Sequence, residues 1–484
     1  MIHPIPFTVH DLLQATGGDL LGGDPDGLFA GVSIDSRNIQ LDDLFVAIIG
    51  ETHDGHSFID AVLGHGVRGL VVKKGHADAF FSRSGPDQSV SCIAVADTTK
   101  ALGALASFQR KRAGVTLTAI TGSSGKTTTR TMISRVVEQK FSTLSTIGNF
   151  NNEIGLPLTL LQLGEGHDQA VVELGMNHAG EITRLAKICQ PEIGVITNIG
   201  PAHLEGVGSI EGVMNAKGEL LEEIQPGGTA ILNADDSRIM ELSERRTENT
   251  LFYGFTETAD IRGMAPQVRG NRTEFLIRFP ESEIEAAVNT CGDFNVQNAL
   301  AAAAVGYALG LSAAQIRDGI EAFQPITGRM NIISTQKGIT IVDDTYNANP
   351  DSVKCAITAF QSLRKGDRGI LVLGDMFELG GESERLHQEI GEFAAESGIT
   401  DLYVTGHYAE IVAKGAKGNQ MNEKQIFIGG MEDIILQLKN TLISGDWLLV
   451  KGSRAMKMER IIEGLKETVT TSKKINTEMG YEHD

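Results

Sequence analysis

The 484-residue chain has few aromatic residues and few cysteines: 5% of its residues are aromatic, and it contains four cysteines. With 41% hydrophobic and 21% charged residues, its composition is that of a soluble globular protein. Cys92, Cys189, Cys291 and Cys355 lie far apart and form no Cys-x-x-Cys pair. We expect all four to be reduced, buried, small apolar side chains in a cytosolic protein.

Basic residues are also scarce, because 42 Lys and Arg stand against 62 Asp and Glu, giving a formal net charge of −20. This charge argues against a nucleic-acid partner, since a phosphate backbone requires a basic surface. Residues 1–13 lack the basic segment and apolar core of a signal peptide. The most membrane-like stretch, 299–314, is alanine-rich and too short for a span, so it predicts a tightly packed helix. We expect a cytoplasmic protein without a membrane span.

The pattern of apolar runs predicts an α/β protein of three domains. Residues 1–112 mix short strands with helical stretches, which predicts a mixed α/β domain. In 113–326, strand-like runs that end in polar residues alternate with helices, which is typical of a parallel sheet. The alternation resumes in 327–467 and predicts a Rossmann-like domain without a Gly-x-Gly-x-x-Gly loop. Residues 468–484 are polar and aperiodic, which predicts a disordered tail.

The segment 121–129, Thr-Gly-Ser-Ser-Gly-Lys-Thr-Thr-Thr, follows an apolar run and opens a helical pattern. A strand, a glycine turn and a helix N-terminus together predict an anion cradle, to which Lys126 adds a full positive charge. The hydroxyl of Thr127 is placed to hold Mg2+. Ile120 stands where the usual loop has glycine, so this is a shorter Gly-x-x-Gly-Lys-Thr-Thr form. The segment predicts a nucleoside triphosphate site built from Gly122, Ser123, Ser124, Gly125, Lys126, Thr127 and Thr128.

Three other residues stand near the ends of predicted strands or on a neighbouring helix. Glu173 ends a strand, where a Mg2+ ligand lies in triphosphate-using enzymes, although a helix-capping or solvent-facing glutamate is the alternative. His203 lies in the loop after another strand, yet a lone loop histidine is more often an ordinary surface residue. Lys217 lies on a helical stretch, where the residues alone favour a solvated lysine.

Several separate strings between Asp35 and Arg460 resemble the Mur ligases, which build the peptide of bacterial cell-wall precursors. Besides the phosphate loop they are residues 35–37, 54–56, 148–152, 173–175, 216–219, 343–350, 374–380 and 451–457. The resemblance implies an ATP-dependent, amide-forming ligase with a UDP-substrate domain at 1–112, an ATP-binding domain at 113–326 and a domain for the incoming amine at 327–467. The C-terminal strings are most similar to members that join D-alanyl-D-alanine to UDP-N-acetylmuramoyl-tripeptide through an acyl phosphate, in cytoplasmic peptidoglycan precursor synthesis.

The resemblance also implies a catalytic and metal set. In the family, the lysine at the Lys217 position is carbamylated by CO2, which converts it into a carboxylate-like anion. Lys217, His203 and Glu173 would then share one Mg2+, while Thr127 and Glu173 hold a second on the β- and γ-phosphates. Arg329 matches the arginine that reaches the γ-phosphate from the domain junction, and a fixed charge suits that role.

The remaining candidates follow from the same resemblance. Asn295 and Asn298 match an adenine-side motif, in which Phe294 replaces the usual histidine, and Asp344 matches a ribose contact. Ser36 and Arg37 match the UDP motif, whereas Asp35 either joins them or only shapes the turn. Asn151 and Asn152 resemble muramyl contacts. Candidates for the dipeptide are Tyr346, Asn347 and Asn349, with Lys451 and Ser453 either binding its carboxylate or serving in packing.

Three alternatives stay open at this point. The first is a sibling ligase that adds another amino acid, or a folate-polyglutamate-type ligase, although strings 346–349 and 451–457 argue against both. The second is a nucleotide-binding module without ligation. The third is an inactive scaffold homologue, which the intact Lys126, Glu173, His203 and Lys217 disfavour. We expect a monomer with small-molecule substrates, whose acceptor peptide carries either lysine or diaminopimelate as third residue.

Overall fold

A computed structural model describes residues 2–76, 89–245 and 249–466, so the predicted disordered tail lies outside the described residues. The described chain forms sheets of five, nine and six strands, flanked by helices, and a small two-stranded sheet of Phe7–Thr8 and Leu28–Phe29. This confirms the predicted α/β class. The domain boundaries at residues 112 and 326 stay predictions.

The N-terminal sheet is parallel except for one antiparallel edge pair. Its strands lie in the order Asp19–Gly22, Ser91–Val95, Gly69–Lys73, Asp43–Val46 and Gly31–Ser33. Its helices are Val9–Thr16, Ile59–Gly64 and Thr98–Ala113, with a 3-10 turn at Gly55–Phe58. The last helix ties this sheet to the next one, because Gln109 Nε2 donates to Leu163 O at 2.7 Å and Arg110 Nε donates to Cys189 O at 2.9 Å.

The central sheet contains nine strands. Their order is Glu283–Val288, Arg272–Arg278, Ile261–Arg269, Thr250–Gly254, Thr229–Asn233, Ile193–Ile196, Thr116–Thr121, Gln169–Glu173 and Thr143–Ser145. The part from Thr143 to Ile261 is parallel, as the sequence predicts. The strands from Ile261 to Val288 add an antiparallel meander that the sequence analysis did not predict. These strands have one exposed face and therefore lack the continuous apolar runs of buried parallel strands.

Helices cover both faces of the central sheet. They are Lys126–Val137, Gly155–Leu160, Glu181–Cys189, Leu204–Val207, Ile210–Glu223, Ser237–Ser243, Asp293–Ala308 and Ala313–Glu321. The predicted single helix at 299–314 is wrong, because the first of these two helices ends at Ala308 and Gly310 adopts φ +69°. The next helix begins where Ser312 Oγ accepts a hydrogen bond from Gln315 N. Residues 299–306 of the alanine-rich stretch are buried, as expected, whereas Ala308 and Ala314 are exposed.

The C-terminal sheet has six strands, which are parallel except for the first pair. Their order is Asn331–Ser334, Thr340–Asp344, Trp447–Lys451, Gly369–Leu373, Asp401–Val404 and Ile426–Ile428. Its helices are Pro350–Arg364, Ser383–Glu396, Ala409–Gly418, Met431–Thr441 and Glu459–Lys466, with 3-10 turns at Gly380–Glu382, Glu423–Gln425 and Arg454–Met456.

Three of the four cysteines are buried, as expected, but Cys355 is exposed. It lies on the helix Pro350–Arg364 and faces the cavity between the sheets, so the prediction that all four are buried is wrong for this one. None of the helices in the described ranges is long and apolar enough to cross a membrane.

Candidate active site

The phosphate loop (residues 121–128) joins the buried strand Thr116–Thr121 to the helix Lys126–Val137. Gly125 adopts φ +76°, and a Cβ atom placed there would lie 2.7 Å from Asn298 Oδ1, so the turn requires glycine. Ser124 N donates to Asn198 Oδ1 at 2.9 Å, which fixes the loop against the next strand end. Lys126 Nζ donates to Gly122 O at 2.7 Å, so the amine lies over the loop.

A chain of hydrogen bonds connects the loop to both neighbouring strands and to the C-terminal domain. Thr127 Oγ1 donates to Glu173 Oε2 at 2.9 Å, and Arg329 Nη2 donates to Thr127 Oγ1 at 2.9 Å. Asn151 Nδ2 donates to Glu173 Oε1 at 2.9 Å. Glu173 is only 3% exposed, which excludes the solvent-facing alternative. Hydrogen bonds therefore join four predicted residues in series: Arg329, Thr127, Glu173 and Asn151.

Arg130 is part of this charge cluster, although the sequence analysis missed it. The side chain is 9% exposed, its Nε lies 3.9 Å from Glu173 Oε2, and its guanidinium also donates to Thr146 O. Burial lowers the pKa of Lys126, a shift that Glu173 opposes. One buried carboxylate thus stands among three cations, Lys126, Arg130 and Arg329, which is an arrangement that accommodates further anionic groups.

Lys217 lies on the helix Ile210–Glu223 and is 1% exposed, so it is not the solvated helix lysine that the residues alone favour. Within the described ranges its amine has no hydrogen-bond or ion-pair partner. Burial, together with the charge of Lys126, lowers the pKa of Lys217 well below its usual value. A buried, unpaired amine next to a cation is a site where a negative charge would be stabilised.

His203 begins the short helix Leu204–Val207 and adopts φ +56°. Its Nδ1 lies 2.6 Å from Glu378 Oε2 of the C-terminal domain, and its side chain is 19% exposed. The two groups are close but not aligned as a hydrogen bond. The histidine therefore contacts the C-terminal domain and is not an isolated surface residue.

The adenine-side candidates lie behind the loop. Thr129 Oγ1 donates to Asn298 Oδ1 at 3.0 Å, and Asn298 Nδ2 donates to Asn295 Oδ1 at 3.3 Å. Asn295 Nδ2 donates to Cys291 O at 2.8 Å. Both asparagines are buried. The hydrogen bond from Thr129 to Asn298 links the helix Lys126–Val137 to the helix Asp293–Ala308.

The C-terminal domain presents a polar wall to the loop. Lys451 Nζ contacts Asp344 Oδ2 at 2.5 Å and donates to Asn347 O at 2.8 Å, so this buried lysine is already paired. Ser453 Oγ accepts from Phe377 N at 2.9 Å and is likewise engaged. The sequence analysis left binding and packing roles open for Lys451 and Ser453, and these contacts favour packing.

Two further predicted residues of this wall reach the phosphate loop or its arginine. The guanidinium of Arg329 lies over the Tyr346 ring, 4.1 Å from its centroid. Asn349 Nδ2 donates to Ser123 O at 3.2 Å, and Asn349 Oδ1 caps the helix Pro350–Arg364 by accepting from Ser352 N at 2.8 Å. The wall is thereby held against the loop.

These groups border a single cavity of about 930 Å³ between the sheets. Its lining includes the following predicted residues: Ser123, Ser124, Gly125, Lys126, Thr127, Thr128, Asn151, Asn152, Glu173, His203, Asn295, Asn298, Arg329, Asp344, Tyr346, Asn347, Asn349, Lys451 and Ser453. Gly122, Lys217, Ser36 and Arg37 are absent from the lining. Arg37 is 83% exposed and pairs with Asp35 at 2.7 Å, which does not decide between the two roles considered for Asp35.

Comparison with known proteins agrees with this geometry. Residues 28–110 match the family profile "Mur ligase family, catalytic domain", 120–306 match "Mur ligase middle domain", and 328–454 match "Mur ligase, glutamate ligase domain". The UDP-N-acetylmuramoyl-tripeptide–D-alanyl-D-alanine ligase of Haemophilus influenzae is 33% identical over 473 residues, covering 96% of this chain and 99% of the relative. The chain belongs to the Mur ligase family.

Solved structures of Mur ligases extend the similarity to three dimensions. A MurF structure from Acinetobacter baumannii is 32% identical with a TM-score of 0.88, and the match covers 96% of this chain and 100% of that one. MurF from Thermotoga maritima, solved in complex with ADP, is 29% identical with a TM-score of 0.79 and coverages of 90% and 97%. The resemblance inferred from the sequence is thus confirmed, together with the three-domain Mur ligase architecture.

Proposed function

We propose that this Mur ligase joins D-alanyl-D-alanine to UDP-N-acetylmuramoyl-tripeptide, using ATP, in the synthesis of peptidoglycan precursors. Its relatives that carry this activity in their names match it over nearly their whole length. The observation that carries the proposal is the contact between Arg329 and Thr127, which brings the C-terminal domain onto the phosphate loop. That contact supports the assignment of this arginine to the junction between the ATP site and the substrate of another domain.

The reaction has two steps. The terminal carboxylate of the tripeptide attacks the γ-phosphorus of ATP, the bond to the β-γ bridging oxygen breaks, and ADP leaves with an acyl phosphate formed. The amine of D-alanyl-D-alanine then attacks the acyl carbon, phosphate leaves and a proton is lost, which gives the amide. The first step brings two anions together, so Lys126 and Arg329 are assigned to neutralise them. Closure of the domains keeps water from the acyl phosphate.

Two Mg2+ ions are assigned to the oxygen and nitrogen groups of this site. Thr127 and Glu173 are assigned to one ion, because a hydroxyl and a carboxylate oxygen 2.9 Å apart are the ligand types that Mg2+ takes. Glu173, His203 and Lys217 are assigned to the other, with Lys217 as a carbamate. The unpaired buried amine of Lys217 fits that modification, because its neutral form is the one that reacts with CO2. The ions would supply charge neutralisation at the phosphates.

The other assignments follow the layout of the cavity. Asn295, Asn298 and Asp344 are assigned to the nucleoside of ATP, and Asn151 and Asn152 to the muramyl side of the acceptor. Tyr346, Asn347 and Asn349 are assigned to the dipeptide. Ser36 and Arg37 are assigned to the UDP group, and the exposed guanidinium of Arg37 suits a pyrophosphate ligand. We further propose that the protein works as a monomer in the cytoplasm.

The test is phosphate release from ATP and Mg2+ with UDP-N-acetylmuramoyl-tripeptide, measured with and without D-alanyl-D-alanine. Acceptors with lysine and with diaminopimelate as third residue are compared. Dipeptide-dependent release, with a pentapeptide product by mass, is the expected result. Release that ignores the dipeptide would identify a sibling ligase or a nucleotide-binding module instead.

A further inference from the structure

Glu378 and His203 belong to different domains and meet at the wall of the cavity. Glu378 Oε2 lies 2.6 Å from His203 Nδ1, and Glu378 O accepts a hydrogen bond from Glu205 N at 3.1 Å. The 3-10 turn Gly380–Glu382 also packs against the helix Leu204–Val207. Both the side chain and the backbone of Glu378 therefore hold the loop that carries His203.

Both residues adopt a backbone conformation that side chains disfavour. The φ angle is +65° at Glu378 and +56° at His203, in the left-handed region that favours glycine. Such conformations cost free energy and persist where surrounding contacts fix them, most often at functional sites. Here the two strained residues face each other, which indicates that their contact is specific.

The contact decides which ring nitrogen of His203 is available. Because Nδ1 faces the Glu378 carboxylate, Nε2 is the nitrogen left for a ligand in the cavity that His203 lines. A carboxylate beside an imidazole fixes its ring orientation and strengthens the other nitrogen as a ligand. Since the carboxylate comes from the C-terminal domain, this orientation depends on the contact between the two domains.

We propose that Glu378 is a positioning residue of the ligation reaction, which orients His203 when the C-terminal domain closes on the central domain. The proposal rests on the proposed function, because it presumes that His203 takes part in that reaction. Glu378 acts through His203 rather than on the substrates, so removing its carboxylate matters only while the imidazole is present. The site is thereby completed only when the two domains meet.

The test is a double-mutant cycle of Glu378→Ala and His203→Ala. Each single variant is expected to lower kcat by about 10- to 100-fold, as the loss of a group that orients a ligand does. KM for ATP is expected to change by less than about threefold, because the loss falls on the reacting state. The double variant is expected to be no slower than His203→Ala alone. Multiplicative losses would overturn the proposal.

Two further variants separate positioning from general damage. Glu378→Gln keeps the shape of the side chain and an oxygen beside Nδ1, and it is expected to recover most of the kcat that Glu378→Ala loses. Glu382→Ala removes an exposed carboxylate of the adjacent turn, paired with Arg385, and is expected to leave kcat unchanged. The Glu378 side chain is 51% exposed, so these variants are expected to fold, which thermal unfolding verifies.

A second readout does not depend on ligation. Calorimetry measures the affinity for Mg2+ in the presence of a saturating non-hydrolysable ATP analogue, and the cycle is repeated on that affinity. The proposal is supported if the double variant loses no more affinity than either single variant. It is contradicted if the loss in the double variant equals the product of the two single losses. A wild-type protein that makes no pentapeptide would overturn the proposed function, whereas a working wild type with multiplicative losses would overturn only the role of Glu378.

Discussion

Arg329 Nη2 donates a hydrogen bond to Thr127 Oγ1 at 2.9 Å across 202 positions of sequence. The hydroxyl of Thr127 in turn donates to Glu173 Oε2 at 2.9 Å. Thr127 lies in the first turn of the helix after the phosphate loop, whereas Arg329 precedes the first strand of the C-terminal sheet. A domain movement that separates the two sheets would remove the arginine from the loop. Closure and charge neutralisation at the loop are therefore linked.

Substitution of Arg329 is predicted to lower kcat, and the loss is expected to be larger when the positive charge is removed than when only the planar guanidinium is replaced. Arg329→Ala removes the charge and is expected to lower kcat by about 10³-fold or more, as the loss of an arginine at a transferred phosphoryl group does. Arg329→Lys keeps the charge but not the planar fork, so an intermediate loss is expected. Steady-state phosphate release measures both. Arg317→Ala, at an exposed arginine paired with Asp318, is the control and is expected to match the wild type.

Gly125→Ala is predicted to damage the phosphate loop through a steric clash in addition to backbone strain. The added Cβ would lie 2.7 Å from Asn298 Oδ1, and φ is +76°. Gly227 is a matched control, because its φ is +79° and an added Cβ would have no neighbour within 4 Å. Both variants carry strain of about 1–2 kcal/mol, but only Gly125→Ala is expected to weaken ATP-analogue binding in calorimetry. Equal affinities would contradict the requirement for glycine in the loop.

Much of the fold follows from the sequence because buried parallel strands appear there as apolar runs that end in polar residues. The strand before the loop and the helix at Lys126–Val137 were predictable in this way. The meander from Ile261 to Val288 was not predicted, since its strands have one exposed face and lack the continuous apolar runs by which the parallel strands were recognised. The split of the alanine-rich stretch at Gly310 depends on one backbone angle that composition does not reveal.

The site was predictable where a residue lies in a recognisable string and not where tertiary packing decides. Lys217 reads as an ordinary helix lysine, and only the fold shows that its amine is buried. Arg130 follows the loop by a few residues, but nothing local shows that it turns towards Glu173. Glu378 stands in a string that the family shares, yet its contact with His203 joins two domains and has no signal in sequence spacing.

Lys126→Ala is predicted to abolish measurable turnover. The amine lies over the loop, 2.7 Å from Gly122 O, and it is assigned to the phosphates of ATP. We expect kcat to fall by at least about 10²- to 10³-fold, the loss typical of removing one preorganised stabilising group. Lys187→Ala, at a lysine with a 66% exposed side chain, is the control. Near-normal ligation by Lys126→Ala would contradict the assignment of residues 121–128 as the loop that binds the phosphates of ATP.

Lys217→Met is predicted to abolish ligation and to raise the stability of the fold. The methionine fills a similar volume without a buried polar group, so the free energy of unfolding in bicarbonate-free buffer is expected to rise. A gain of roughly 1 kcal/mol corresponds to an increase in Tm of about 2–4 °C, which differential scanning calorimetry resolves. The same variant is expected to lose ligation, since the carbamate cannot form. Lys187→Met, at an exposed lysine, should change neither property.

Bicarbonate provides the complementary measurement on the wild-type protein. Burial lowers the pKa of Lys217 well below its usual value, which favours the neutral form of the amine, the form that reacts with CO2. Protein stripped of bicarbonate is expected to lose kcat and to recover it when bicarbonate is returned, whereas Lys217→Met should not respond. An unresponsive wild type would mean that the amine works unmodified.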